Sequence, residues 1–317
     1  SEDLIKSILK EKVPNYTEIE ISFFQLCEMH CRFCWQDNYN PEGVTSIKEK
    51  SKTVIQYLQE FESKIQQNIQ VHLLGGELFE DSNDYYEDYL HVILDIKNYC
   101  DKYLPEKDLK FIFLTNMNFQ KDSTLLKLET FLNTLREKKC VFHLTTSWDP
   151  TGRPLAGEKS TKFHQNINYF KKDMAEITFV LTKQTINKIL KGENHYLNFL
   201  YNNGFIIDFD YYMPTTGSKS IMPNDWEIFK VIEYLIHHYP KLPKLKSYVE
   251  EHDNPGKLTC ASLNKITILP DGTITNCRHL DYDQIDFETR INNESNSSLI
   301  LSLKKNVSLV HILRDVP

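Results

Sequence analysis

The sequence predicts an α/β fold in which a parallel sheet is built from six consecutive strand–helix units. Six apolar runs rich in β-branched and aromatic residues recur along the chain. The longer segments between them carry apolar residues at intervals of three and four, as amphipathic helices do. Strands that alternate with helices form right-handed βαβ crossovers and therefore a parallel sheet. This pattern alone fits either a doubly wound open sheet or an incomplete barrel.

The six predicted strands lie in the amino-terminal two thirds of the chain. They cover residues 17–26, 70–75, 109–116, 140–147, 175–182 and 205–211. The clearest intervening helices are predicted at residues 47–65, 85–99, 125–135 and 226–236. Both architectures bind ligands at the carboxyl ends of their strands. The residues that directly follow each apolar run are therefore the candidates for a functional site.

Three domains are predicted. Residues 1–14 form a charged amphipathic helix, and residues 15–238 contain the six strand–helix units. A stretch rich in Pro, Lys and Glu then predicts a linker. Apolar segments on both sides of Pro270-Asp271-Gly272 predict a β-hairpin, because Pro presets φ and Gly accepts a positive φ. We therefore expect a small C-terminal domain over residues 239–317. Its last residues do not resemble a natural domain end, so a truncated domain is one of two alternatives.

The composition excludes several classes of protein. The chain has 317 residues, of which 40% are hydrophobic and 26% charged, so a globular core is feasible. The net charge of −7 argues against nucleic-acid binding, which needs clustered Lys and Arg. No run approaches the roughly 20 apolar residues of a membrane helix, and no signal peptide is visible. An odd count of seven cysteines without a secretory signal favours a reducing cytoplasm.

Three cysteines crowd into the eight residues that follow the first strand. Cys27, Cys31 and Cys34 have the spacing C-x3-C-x2-C. Three thiolates from one loop can hold three irons of a [4Fe–4S] cluster and leave the fourth iron open for another ligand. The alternative is a structural zinc site completed by His30 or a distant ligand. Zinc motifs usually contain two cysteine pairs, however, and no second C-x2-C occurs.

The segment CEMHCRFC resembles the signature of the radical S-adenosylmethionine (radical SAM) superfamily, C-x3-C-x-aromatic-C. The resemblance implies an incomplete (β/α)6 TIM-like barrel, a [4Fe–4S] cluster on Cys27, Cys31 and Cys34, and Phe33 beside the adenine of S-adenosylmethionine. It also implies that an external donor such as flavodoxin or ferredoxin reduces the cluster. S-adenosylmethionine is then cleaved to methionine and a 5′-deoxyadenosyl radical, which abstracts a hydrogen atom from the substrate.

The same resemblance implies cofactor contacts after the second and third strands. Gly75, Gly76 and Glu77 match a G-G-E segment that holds the amino group of S-adenosylmethionine in the family. Asn116 matches a Thr-Asn pair that usually precedes Gly, so we expect a different turn here, where Met117 follows. The alternative for Asn116 is a simple helix cap.

Further contacts are implied after the fourth strand. Ser147 and Asp149 match a Ser-x-Asp segment that reaches the ribose or the carboxylate of S-adenosylmethionine in the family. In the commonest form Gly follows the Asp directly, and this chain departs from that form. Arg153 is a candidate for bidentate pairing with the carboxylate, because its guanidinium offers two parallel donors. Its alternative is an ordinary surface residue.

Cys260 and Cys277 bracket the predicted hairpin, and the segment resembles the opening of a twitch or SPASM domain. Such extensions hold an auxiliary [4Fe–4S] cluster, but the further cysteines of that pattern do not follow here. Either the chain is truncated before them or the extension holds no second cluster. The resemblance favours a peptide or protein substrate, with a small molecule as the alternative. A non-enzymatic zinc or iron–sulfur interaction protein is the second alternative.

Overall fold

An eight-stranded sheet forms the centre of the molecule. The computed structural model describes residues 16–34, 46–153, 155, 157–212, 219–242 and 265–275. The strands are β1 (Tyr16–Ser22), β2 (Asn68–Leu74), β3 (Asp108–Leu114), β4 (Phe142–Trp148), β5 (Met174–Leu181), β6 (Ile207–Tyr211), β7 (Lys265–Ile268) and β8 (Ile274–Thr275). Each of the six predicted strands is present, and the first ends four residues earlier than predicted.

The strand order resolves the choice that the sequence left open. It runs β6-β5-β4-β3-β2-β1-β7-β8, and every pair except β7–β8 is parallel. A doubly wound sheet reverses its strand order at a switch point. Strands β1 to β6 show no reversal, so right-handed crossovers place their helices on one face, as in a barrel. Strand β6 ends the sheet at one edge and β8 at the other. The predicted incomplete α/β barrel is confirmed.

Seven α-helices lie between or after these strands in the described part of the chain. They are α1 (Lys50–Glu60), α2 (Tyr86–Tyr103), α3 (Asp122–Glu137), α4 (Glu158–Tyr169), α5 (Lys183–Leu190), α6 (His195–Asn202) and α7 (Asp225–His238). Helix α7 begins with a capping box, in which Asn224 and Glu227 bond each other's backbone N–H groups. No helix in the described ranges combines the length and hydrophobicity that a membrane span requires.

The two faces of the sheet differ in polarity. In β1, Ile19 and Ile21 are fully buried in the core that the helices cover. Side chains alternate along a strand, so Glu18 and Glu20 point to the opposite face. There the neighbouring strand β7 places Lys265 beside them, at 2.7 Å from each carboxylate. The face away from the helices is therefore polar at this end of the sheet.

The predicted C-terminal hairpin is present, and it belongs to the same sheet. Strand β7 pairs with β1 in parallel, and β8 pairs back onto β7. The buried ammonium of Lys50, at the start of α1, donates to the carbonyls of Leu269 and Pro270 in the hairpin turn, at 2.6 and 2.7 Å. The hairpin thus contacts both the sheet and a helix of the barrel.

Candidate active site

The three clustered cysteines lie in the loop that leaves the carboxyl end of β1. Cys31 is buried, while Cys27 and Cys34 are partly exposed, and no described cysteine forms a disulfide. The Cys34 N–H donates to the Cys31 carbonyl at 2.9 Å, which closes a tight turn. His30 has a φ of 45°, a conformation that a non-glycine residue rarely adopts. The loop therefore bends sharply and presents three thiols within eight residues.

The loop after β2 packs directly against the start of the cysteine loop. The Glu77 N–H donates to the Leu26 carbonyl at 2.8 Å, one residue before Cys27. A Cβ atom at Gly76 would lie only 1.7 Å from that same carbonyl oxygen, so no other residue fits without displacing the backbone. At Gly75 a Cβ atom would meet Phe24 at 3.3 Å, which is a milder contact.

The Glu77 carboxylate points into the protein. Its residue is 1% exposed, and it accepts hydrogen bonds from the Phe79 N–H at 2.9 Å and the Thr115 hydroxyl at 2.6 Å. It also accepts from the backbone N–H of Asn116. Burial raises the pKa of this carboxyl, and the three hydrogen bonds oppose that rise. The side chain therefore ties the loop after β2 to the end of β3.

The loop after β3 points two amide side chains at sulfur atoms of the cysteine loop. Asn116 Nδ2 lies 3.7 Å from Cys27 Sγ, and Asn118 Nδ2 lies 2.9 Å from Met29 Sδ. Between them Met117 is fully buried, with a φ of 55°, a conformation that glycine adopts more easily. Asn166 of α4 holds this loop by donating to the carbonyls of Met117 and Phe119, both at 2.9 Å.

The loop after β4 supports the cysteine loop from another side. Asp149 is 1% exposed, and its carboxylate accepts from the hydroxyls of Thr151, at 2.8 Å, and Thr185. This network holds Gly152 in place. The Gly152 carbonyl accepts the Arg32 N–H at 2.9 Å, and a Cβ atom on Gly152 would lie 2.8 Å from the Phe33 ring.

Arg153 is also turned inward. It is 6% exposed and donates to the carbonyls of Ser147 and Asn116, the latter at 3.0 Å. Its guanidinium lies over the ring of Phe163 at 5.3 Å. Arg153 thus joins the ends of β3 and β4, while its buried Nε makes no hydrogen bond within the described residues.

Electrostatics around Cys27 are unusual for a surface loop. Burial and then the charge of Glu77 raise the pKa of the Cys27 thiol to about 12. Burial raises the pKa of the nearby Glu80 carboxylate to about 7, and this group accepts the Glu28 N–H at 2.6 Å. The surrounding protein therefore favours the neutral thiol at Cys27, and a metal ligand at this position would have to be deprotonated on binding.

Solved structures of other proteins have the same architecture. Native anSMEcpe with bound AdoMet matches with a TM-score of 0.59 and 15% identity, over 89% of this chain and 80% of that one. SuiB of Streptococcus suis bound to S-adenosylmethionine matches with a TM-score of 0.56 and 17% identity, over 99% and 72%. SuiB bound to the precursor peptide SuiA matches with a TM-score of 0.55 and 16% identity, over 99% and 71%. Both proteins are radical SAM enzymes.

This chain has the radical SAM fold. No protein-family model matches the sequence, and no curated protein has a matching sequence. The likeness is therefore one of three-dimensional architecture at low identity. In the radical SAM fold of this chain, the cysteine loop follows β1, and the loops after β2, β3 and β4 contact it.

The sequence-predicted residues of this radical SAM fold fall into three groups. The first group lies in or beside the cysteine loop and consists of Phe33, Gly75, Gly76 and Asn116. Those with buried side chains bonded inside the protein are Glu77, Asp149 and Arg153. Ser147 lies at the end of β4 and is half-buried. Cys260 and Cys277 lie outside the described residues, so the auxiliary-cluster prediction stays a prediction.

Sequence reasoning missed the apolar support of Phe33. Its ring packs beside Val180, Tyr212 and Ile221, which lie at the end of β5 and in the region after β6. The only sequence feature that could have identified these residues is their position at or beyond the strand ends. Apolar side chains at such positions cannot be told from ordinary core residues by sequence. Helix α6, which begins at His195, is not among the predicted helices, because a pattern of eight residues is too short to show a helical period clearly.

Proposed function

We propose that this chain is a radical SAM enzyme that cleaves S-adenosylmethionine reductively and abstracts a hydrogen atom from a peptide or protein. The observation that carries the proposal is the cysteine loop at the carboxyl end of β1, enclosed by the loops after β2, β3 and β4. Ligands of parallel α/β barrels bind at this end. The fold shared with anSMEcpe and SuiB supports the same cofactor, since both were solved with S-adenosylmethionine bound.

The residues present suit a [4Fe–4S] cluster. Cys27, Cys31 and Cys34 supply three thiols from one bent loop, and the Asn116 amide faces one of them. Three thiolates leave one iron for the amino and carboxylate groups of S-adenosylmethionine, as the motif resemblance implies. When bound and reduced, the cluster supplies one electron for cleavage of the carbon–sulfur bond, which gives methionine and a 5′-deoxyadenosyl radical. An external donor of the flavodoxin or ferredoxin class supplies that electron.

We assign two kinds of role to the residues around the cysteine loop. Phe33, Gly75, Gly76, Asn116 and Ser147 border the space where S-adenosylmethionine would bind. Glu77, Asp149 and Arg153 support the loops and do not contact the cofactor directly, because their charged groups are buried and bonded to the loops themselves. These residues contribute to cofactor binding by holding the loops in a fixed conformation. A preorganised site then needs no rearrangement when the cofactor binds.

The domain assignment is also a proposal. We place the radical SAM core at residues 15–238, preceded by a helix over 1–14 and followed by an extension over 239–317. The match to SuiB bound to its precursor peptide supports a peptide substrate. The extension resembles a twitch or SPASM domain in the order Cys260, Gly272, Cys277, and an auxiliary cluster there is part of the same proposal.

The decisive experiment is anaerobic cleavage of S-adenosylmethionine. The protein is reconstituted with iron and sulfide, reduced with dithionite, mixed with S-adenosylmethionine, and assayed for 5′-deoxyadenosine by chromatography. We expect product from the wild type and none from a Cys27→Ala, Cys31→Ala, Cys34→Ala variant. Binding of zinc without any iron–sulfur cluster would overturn the proposal and favour an interaction protein instead.

A further inference from the structure

Every polar group of Asn116, in the backbone and in the side chain, has a partner in the surrounding loops. Its backbone N–H donates to the Glu77 carboxylate, and its carbonyl accepts the Arg153 guanidinium at 3.0 Å. Its side-chain Oδ1 accepts the Asn118 N–H at 2.7 Å, and its Nδ2 faces Cys27 Sγ at 3.7 Å. Two of these partners are buried charged side chains. A residue that only capped a helix would not need contacts at all four of these groups.

The orientation of the Asn116 amide follows from this network. The oxygen and nitrogen of an amide side chain are distinguished by their hydrogen-bond partners. The Asn118 N–H is a donor and must meet Oδ1, so the NH2 group must face the sulfur. Because the Asx-type turn fixes one end of the amide, the donor end cannot rotate away from Cys27. Asn116 is thus a preorganised donor aimed at a thiol of the cysteine loop.

We propose that Asn116 donates a hydrogen bond to the Cys27 thiolate when the cluster is bound. This hydrogen bond raises the reduction potential of the cluster. The inference rests on the proposed function, since it needs a cluster on Cys27. Hydrogen bonds to cluster sulfurs are one determinant of the potential. Reduction adds one electron, supplied by the external donor, and makes the thiolates more negative. A donor N–H therefore stabilises the reduced cluster more than the oxidised one.

Glu77 and Arg153 acquire a role in this account. They are positioning residues that hold the Asn116 backbone from opposite sides, and neither side chain touches the thiol. A shift of Asn116 by a few tenths of an ångström would weaken a bond to sulfur that is already long. This role accounts for the burial of two charged side chains in the loops after β2 and β4.

The test is a potentiometric titration of the reconstituted protein followed by electron paramagnetic resonance. In Asn116→Ala the reduced-to-oxidised ratio of the cluster at a fixed potential should fall about tenfold, equivalent to about 59 mV for one electron. Asn118→Ala is the matched control. Its amide donates to the thioether of Met29, which is not a proposed cluster ligand, so its potential should equal that of the wild type.

A second variant guards against misfolding of Asn116→Ala. Asn116→Asp keeps the oxygen that accepts the Asn118 N–H and replaces the NH2 donor by a carboxylate oxygen. Its potential should fall at least as far, because a negative charge is added beside the thiolate. Pulsed electron–nuclear double resonance in D2O should show one exchangeable proton fewer near the reduced cluster in both Asn116 variants.

The outcomes separate this inference from the proposed function. Failure of the wild type to assemble a cluster or to cleave S-adenosylmethionine removes both. If the wild type is active, unchanged potentials in Asn116 variants with full iron content refute the inference alone. An equal shift in Asn118→Ala would also refute it, because the shift would then reflect loop packing.

Discussion

Gly76 marks the closest approach between two loops of the candidate site. The carbonyl of Leu26 occupies the space where any side chain on residue 76 would begin. Because Leu26 immediately precedes Cys27, this contact sets the path of the backbone into the cysteine loop. The glycine is required here for space and not for an unusual φ, since its φ is not among the positive ones.

We expect Gly76→Ala to reduce cluster loading severely. The added methyl group would displace the Leu26 carbonyl and with it the first thiol, whereas Gly75→Ala meets only the Phe24 side of the loop at 3.3 Å. After identical reconstitution, iron per protein should fall at least several-fold in Gly76→Ala and stay near the wild-type value in Gly75→Ala. Equal iron content in the two variants would contradict the steric argument.

For single residues, the sequence predicted the positions of the site residues along the chain but not the directions of their side chains. Glu77, Asp149 and Arg153 lie where the motif resemblance predicts cofactor contacts, in the loops after β2 and β4. Their carboxylates and guanidinium turn inward, because backbone N–H groups, backbone carbonyls and threonine hydroxyls near the strand ends offer partners. A motif records residue type and spacing, and neither specifies which rotamer a long polar side chain adopts.

The hairpin of β7 and β8 is anchored to helix α1 by a buried lysine. The Lys50 ammonium meets two carbonyls of the hairpin turn and is 1% exposed. Burial lowers its pKa to about 8, and the nearby Asp271 carboxylate opposes the fall. Between about pH 8 and the ordinary lysine value near 10.5, the unfolded chain binds a proton at Lys50 that the folded chain does not.

The stability of the wild type relative to Lys50→Met should therefore rise with pH across this window. A folded state that binds fewer protons than the unfolded state gains stability as pH increases. Urea unfolding of both proteins at about pH 8 and at about pH 10, near the two ends of this range, measures the change. Lys52→Met provides the matched control, because it removes a lysine from the same helix whose side chain is exposed. A constant difference for Lys50→Met would contradict the prediction.

At the scale of elements, long patterns were predicted well and short ones poorly. The six core strands and the helices near 50–60, 86–103, 122–137 and 225–238 follow from periodicity. The eight-residue helices α5 and α6 span two turns each, and short helices depend on packing more than on propensity. The pairing of β7 with β1 also escaped prediction, because the hairpin signal of Pro270-Asp271-Gly272 is local and carries no information about a distant neighbour.

A buried group of charged side chains joins the C-terminal hairpin to β1, an interior strand of the sheet. Lys265 of β7 lies 2.7 Å from both Glu18 and Glu20, and its side chain is only 13% exposed. His72 of β2 completes the one cluster of metal-ligand type that converges to within 4.8 Å among the described residues. The ammonium already lies between the two carboxylates, so this cluster serves to bind the hairpin to the sheet.

Lys265→Met should destabilise the protein by about 3–5 kcal/mol, because it leaves two buried carboxylates side by side without a cation. The free energy of unfolding in urea, measured on the cluster-free protein, provides the test. Lys127 forms an exposed pair with Asp84, and Lys127→Met should cost less than about 1 kcal/mol. Similar losses in the two variants would show that the β1–β7 charges are solvated.

The β1–β7 pairing also bears on how the protein is made. The Thr267 hydroxyl bonds to Glu20 across 247 residues of sequence, at 2.9 Å. During synthesis β1 leaves the ribosome early and gains β2 as a neighbour soon afterwards. Its other edge stays unpaired until β7 emerges, so the nascent chain carries an open strand edge beside its cysteine loop throughout the synthesis of the residues between β2 and β7. A chaperone that shields such an edge would act in this interval.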